Sequence, residues 1–145
     1  MDPLNRLRVA VIGTGFWGKN HARILSQLKS TELVCLCDVN RASAERAGSQ
    51  FNIPFTTDIE EVLSRTDVNA ATVCTPTITH REVATRALQA GKHVLVEKPI
   101  TNTTAEAREL LSLAKRNGLR LMPGHIERFN PAVIHLKSLV AVSYT

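Results

Sequence analysis

Between Leu7 and Met122 short, β-branched apolar runs alternate with longer stretches whose apolar residues recur at helical spacing. Leu7–Ile12 is the first run and stops at glycines; residues 17–28 follow, with Ala22, Ile24, Leu25 and Leu28 on one helical stripe. The pattern then predicts a strand over 32–37, a helix over 42–50, an extended piece at 53–55 and a helix over 59–64 capped by Asp58. A strand over 70–74 and a helix over 79–90 come next, the helix stopped by Gly91, and His93–Val96 is a fifth strand. Thr103 and Glu106 have capping-box spacing ahead of a helix over 104–117, which Gly118 closes. A sixth strand over 119–122 and a last helix over 131–139, with Pro131 in its first turn, complete the pattern.

Alternation of this kind, with no internal repeat and no low-complexity linker, means parallel βαβ units. The expected fold is α/β, a doubly wound parallel sheet of the Rossmann dinucleotide-binding type, whose ligands lie at the carboxyl ends of the strands. That rule nominates residues 13–18, Asp38, residues 75–80, 97–99 and 124–130. Residues 1–125 form the expected dinucleotide-binding domain. Residues 126–145 read as a connector helix and the truncated entry to a second domain, with 139–144 as an apolar tail.

The chain has 145 residues, 43% hydrophobic and 21% charged, which fits one soluble globular domain. Its apolar runs fall far short of the roughly 20 residues that span a bilayer, so no membrane partner is expected. Residues 1–6 lack a basic region, an apolar block and a cleavage site, which leaves a cytoplasmic location as the expectation. A net charge of +5 raises the question of nucleic acid. The 18 basic residues are scattered, however, and aromatics make up only 4%, so no nucleic-acid partner is expected and the excess suits small anionic ligands. Cys35, Cys37 and Cys74 lie in strand-like surroundings without metal-ligand spacing and read as buried, reduced thiols; no metal site is expected.

Gly13-Thr14-Gly15-Phe16-Trp17-Gly18 matches G-x-G-x-x-G between a strand and a helix. Gly13 would make the tight turn, Gly15 would admit a diphosphate to the backbone, and Gly18 would let helix and strand pack closely. The helix start would offer N–H groups to phosphate. Asp38, twenty residues beyond Gly18, ends the second strand, where a carboxylate can accept both hydroxyls of the adenosine ribose. A carboxylate there repels a 2′-phosphate, so NAD is expected over NADP; Arg41 keeps the second open, since its guanidinium could pair with that phosphate. Glu97-Lys98-Pro99 ends the fifth strand, and a lysine held between a strand and a proline should have few rotamers and a partly desolvated head group suited to proton transfer.

Taken in order, Gly13 to Gly18, Asp38, Cys74-Thr75-Pro76-Thr77-Ile78-Thr79-His80 and Gly91-Lys92-His93-Val94-Leu95-Val96-Glu97-Lys98-Pro99 resemble the glucose-fructose oxidoreductase / inositol dehydrogenase (Gfo/Idh/MocA) family of sugar-modifying NAD(P) enzymes. The resemblance covers about the first 125 residues. It implies that Lys98 is the active-site lysine acting on the sugar hydroxyl. Glu97 would lie beside the nicotinamide ribose, and Thr75 and Pro76 would line the nicotinamide side of the cofactor. A cis Lys98–Pro99 bond is also implied. His80 matches the family's histidine at the start of the next helix; a histidine bonded to backbone is the other reading.

Residues 124–131, from Gly124 through Arg128 and Asn130 to Pro131, resemble the branch that oxidises C3 of UDP-N-acetylglucosamine or its uronate. Arg128 and Asn130 would there orient a sugar or a nucleotide phosphate, against the alternatives of a solvated arginine and a helix cap. Family members carry a second α/β domain that binds substrate, supplies a histidine partner for the lysine and mediates homo-oligomerisation. The expectation is therefore the NAD-binding half of a sugar or sugar-nucleotide dehydrogenase, inactive alone. The alternative is a stand-alone, non-catalytic NAD-binding or redox-sensing module.

Overall fold

In the computed structural model, which describes residues 6–142, six parallel strands form one sheet in the order β3-β2-β1-β4-β5-β6. The strands are β1 (Leu7–Ile12), β2 (Thr31–Cys37), β3 (Phe55–Thr56), β4 (Ala70–Val73), β5 (His93–Val96) and β6 (Leu121–Pro123). The helices are α1 (Phe16–Gln27), α2 (Arg41–Phe51), α3 (Ile59–Leu63), α4 (Thr77–Gln89), α5 (Thr104–Arg116) and α6 (Pro131–Val142), with a 3-10 turn at Ile126–Phe129 before α6. This is the expected doubly wound sheet. Its direction of winding reverses between β1 and β4, where the strand ends diverge and a ligand crevice opens.

Strand side chains alternate between two apolar layers. One holds Val11, Leu33 and Leu36 against Ala22 of α1 and Ala47 of α2. The other, larger layer holds Ala10, Ile12, Val73, Val94 and Val96 against Val62, Ala84, Leu88 and Leu110 of α3, α4 and α5. Val34 and Cys35 both face this second layer, so the alternation of β2 slips by one residue there. The pairing shows the same slip: Val9 is opposite Leu33 but Ala10 is opposite Cys35. A bulge of this kind adds a residue to one strand and increases local twist.

The helix starts follow their caps. Asp58 accepts from the Glu60 N–H ahead of α3, Asn40 accepts from the Ser43 N–H ahead of α2, and Thr103 with Glu106 forms the expected capping box. Of the boundaries that differ from the sequence pattern, three have a clear local cause. α4 starts at Thr77, two residues early, because Pro76 at φ −57° and ψ 143° is itself the cap. β3 starts at Phe55, after Pro54, which has no N–H for the ladder. β6 starts at Leu121, since the Leu119 N–H is held by the Ala114 carbonyl at the close of α5.

α6 displays Ile134, Leu136 and Leu139 to solvent, each more than half exposed. Among the described residues no helix is long and apolar enough to cross a membrane. The apolar run expected over 139–144 is only partly visible, because Ser143 and Tyr144 lie outside the described residues.

At the amino ends of the strands Asp67 accepts from Arg65 Nε and Nη2 and from Arg8 Nη2, each at 2.8 Å. The Arg65 guanidinium holds the Asp67 carboxyl down at about 2. A depressed carboxylate stabilises the fold above its unfolded-state pKa and ceases to do so as pH falls through its folded value. Asp67→Asn should therefore lower the urea midpoint at pH 6, and the gap to the parent chain should narrow between about pH 4 and pH 2; a gap independent of pH would contradict this assignment.

Candidate dinucleotide site and active site

The crevice at the β1/β4 divergence is a cleft of about 800 Å³ lined by Gly13, Gly15, Asp38, Val39, Thr75 and Pro76 among others. Gly13 has φ +93°, and a Cβ there would lie 2.6 Å from the Cys74 carbonyl carbon. A Cβ on Gly18 would lie 1.8 Å from the Gly13 carbonyl oxygen, so α1 crosses β1 at a distance no side chain permits. Gly15 has nothing within 4 Å of that position. Its missing side chain leaves open space beside the start of α1, where Gly15 itself provides no side-chain cap. First-turn N–H groups have no partner within a helix, so those of Phe16, Trp17 and Gly18 remain available to an anion. A diphosphate fits this cradle.

Asp38 stands at the end of β2, half-buried. Its Oδ2 accepts from the Thr14 N–H at 2.7 Å and the Thr14 hydroxyl at 2.9 Å, and its Oδ1 accepts from the Asn40 N–H at 2.9 Å. A carboxylate offers about four lone-pair positions, so one remains, on Oδ1. The expectation that Asp38 accepts both ribose hydroxyls is thus limited to one, unless the Asn40 bond is surrendered. Thr14 is 1% exposed, and its N–H is used by Asp38. It holds the loop in shape and offers a ligand no donor of its own. Ser43 extends the network, its hydroxyl 2.9 Å from the Thr14 hydroxyl. Arg41, the first residue of α2, is exposed.

A second hollow, of about 510 Å³, lies at the end of β5 between Trp17, Glu97, Lys98, Gly124, His125 and Arg128. The Lys98–Pro99 peptide bond is cis, as the resemblance implied. Lys98 differs from expectation in its surroundings: it is exposed. The sheet edge lends it position, but no desolvated pocket encloses its head group. Glu97 is buried; its Oε1 lies 2.7 Å from His21 Nε2, and its Oε2 accepts the Lys98 N–H at 3.0 Å.

His80 is 1% exposed, with Nδ1 2.7 Å from the Pro99 carbonyl oxygen and Nε2 2.8 Å from the Thr75 carbonyl oxygen. Of the two readings, the backbone-bonded one describes this geometry. His80 fastens the β4 end to the turn after Lys98 and presents no edge to the clefts. Asn130 is likewise a cap: its Oδ1 accepts from the Ala132 N–H at 3.0 Å and its Nδ2 donates to Glu127 at 2.8 Å. Arg128 reaches the hollow; Asn130 does not line it. Phe16 is exposed, its ring edge-on to Trp17 at 5.4 Å.

Cys37 and Cys74 line the larger cleft, and burial pushes both thiols up to about 12, Cys74 with help from the Glu97 charge. Burial raises Cys35 as well. All three are free thiols, Cys35 and Cys37 buried and Cys74 half-buried.

The sequence pattern passed over His21, although its place four residues after Trp17 puts the two on one face of α1. The Ser43 hydroxyl was equally silent, because its partner is 29 residues away.

Residues 7–125 match the oxidoreductase family with an NAD-binding Rossmann fold. The chain belongs to that family, Gfo/Idh/MocA. It is 35% identical over 127 residues to the 4-carboxy-2-hydroxymuconate-6-semialdehyde dehydrogenase of a Sphingobium species, covering 87% of this chain and 40% of that one. It is 35% identical over 131 residues to the UDP-N-acetylglucosamine 3-dehydrogenase of Acidithiobacillus ferrooxidans, covering 90% and 41%. Among solved structures, the 3-ketoreductase KijD10 of Actinomadura kijaniata in complex with NADP superposes with a TM-score of 0.89 at 30% identity, over 94% of this chain and 44% of that one. The chain spans well under half the length of the curated relatives it matches.

The three glycine positions separate stability from binding. Gly15→Ala should leave stability within about 0.5 kcal/mol, because its Cβ meets nothing, yet weaken NADH binding about tenfold or more by filling the cradle. Gly18→Ala should cost about 1–3 kcal/mol through the forced backbone shift. Thermal melts with NADH titrations check both, and a G15A chain that binds like the parent would remove the diphosphate from this loop.

Proposed function

We propose that this chain is the dinucleotide-binding part of an NAD-dependent oxidoreductase acting on C3 of a UDP-N-acetylhexosamine derivative. The observation that carries the reading is the arrangement along one sheet edge: an anion cradle at Gly13 to Gly18, a carboxylate at Asp38, and Lys98 beside a separate hollow. The spacing suits a ligand with two nucleoside ends joined by a diphosphate. Among the relatives, a 3-dehydrogenase of a UDP-sugar and a 3-ketoreductase favour chemistry at a ring C3.

In this reading the α1 amino end holds the diphosphate, and Asp38 accepts one adenosine ribose hydroxyl. The negative charge of Asp38 favours NAD, while exposed Arg41 could be recruited by a 2′-phosphate. Thr75 and Pro76 line the path toward the nicotinamide end, and Glu97 lies beside the nicotinamide ribose. The nicotinamide, when bound, supplies the hydride chemistry. Lys98 Nζ holds or takes the proton of the sugar hydroxyl, and Arg128 pairs with an anionic group of the substrate. Lys98 is open to solvent, and water in that hollow weakens every electrostatic contact with substrate. The chain by itself should therefore bind dinucleotide well and turn substrate over poorly.

Nicotinamide fluorescence titrations test the cofactor assignment: NADH should bind about tenfold more tightly than NADPH, a difference of about 1.4 kcal/mol, because the Asp38 carboxylate repels the 2′-phosphate. A preference for NADPH would reverse it. Lys98→Ala should leave NADH affinity within about twofold while lowering any oxidation of UDP-N-acetylglucosamine by about 10²–10⁴. Unchanged turnover in that variant would take Lys98 out of the chemistry.

A further inference from the structure

α1 carries the diphosphate cradle at its amino end, and β5 carries Lys98 at its carboxyl end. These two elements are not neighbours, because β4 lies between β5 and β1 in the sheet. A hydrogen bond between side chains spans the gap. His21, on α1, places Nε2 2.7 Å from Glu97 Oε1, with the two side chains 18% and 9% exposed. The other carboxylate oxygen accepts the Lys98 backbone N–H at 3.0 Å. The carboxylate is thus tethered twice, to the helix on one side and to the Lys98 peptide on the other.

A buried carboxylate stripped of a partner is strongly unfavourable, so Glu97 keeps both bonds rather than swinging toward solvent. Each bond fixes something different. The bond to the Lys98 N–H sets the start of the turn. The bond from His21 sets the distance of that turn from α1. Trp17, four residues before His21, lines the same hollow as Glu97 and Lys98, so α1 contributes a wall as well as an anchor.

We propose that His21 is a positioning residue that holds the Lys98 turn at a fixed separation from the diphosphate-binding helix, so that both ends of one dinucleotide are gripped together. The inference rests on the dinucleotide-binding reading above. It assigns His21 no contact with substrate. Its work is done through Glu97.

The test compares two ligands on the full chain. ADP-ribose has the adenosine and diphosphate but lacks nicotinamide; NADH has all three. His21→Leu should weaken NADH about tenfold, the worth of a charge-assisted hydrogen bond, and leave ADP-ribose within about twofold. His21→Gln, whose carboxamide can donate to Glu97 from nearly the same place, should restore most of the NADH affinity. Equal losses for the two ligands would mean general disturbance of the fold and would overturn the proposal, as would NADH binding unchanged in H21L. Should H21L fail to fold, His21→Asn, whose shorter carboxamide does not reach Glu97, removes the tether while keeping a polar side chain and is read against the same two ligands. A parent chain that binds neither ligand would overturn the dinucleotide-binding reading, and this inference with it. A parent that binds both, with H21L and H21N indistinguishable from it, would overturn the role of His21 alone.

Discussion

The closeness of α1 to the end of β1 is the constraint on which the rest of this structure depends. Helix and strand meet where Gly18 faces the Gly13 carbonyl and Gly13 faces the Cys74 backbone, so two consecutive contacts are made with no side chain between. That contact brings the positive end of a helix over the point where β1 and β4 part. Had either position carried a Cβ, the helix would lift away, and its free N–H groups would point into bulk water instead of across a cleft. Binding capacity here begins as a packing problem solved by omission.

Around that contact the polar side chains serve mostly to hold backbone in place. Thr14, Ser43 and Asn40 surround Asp38, His80 joins two loops through their carbonyls, and Glu97 is held between a ring and a peptide N–H. A site meant to meet a large polar ligand must keep its own donors and acceptors satisfied while the ligand is away. The cost is freedom at the functional groups, which is why Asp38 retains room for one hydroxyl rather than two. Lys98 stands apart from this scheme, with a head group in solvent beside a peptide that is firmly held.

The fold was legible because a parallel sheet buried on both faces writes itself as short apolar runs, and because caps such as Asp58 and Thr103 mark helix starts locally. The glycine motif and Asp38 were legible for the same reason: their meaning comes from position relative to one strand and one helix. The bulge at Val34 was not, since an extra apolar residue in an apolar run leaves no trace in the pattern. His80 and Asn130 look identical in sequence whether they face a ligand or fasten their own chain. His21 and Glu97 meet across 76 residues of chain, a separation at which only the three-dimensional arrangement speaks.

The sulfur atoms in the floor of the large cleft carry a consequence for durability. Thiolates, not thiols, react with peroxides and disulfides, and Cys37 and Cys74 are kept as thiols far above physiological pH. They therefore act as compact, polarisable filler. The cleft is thereby lined with sulfur that stays unreactive, and it should keep its shape in an oxidising surge that would modify more acidic cysteines elsewhere in a cell.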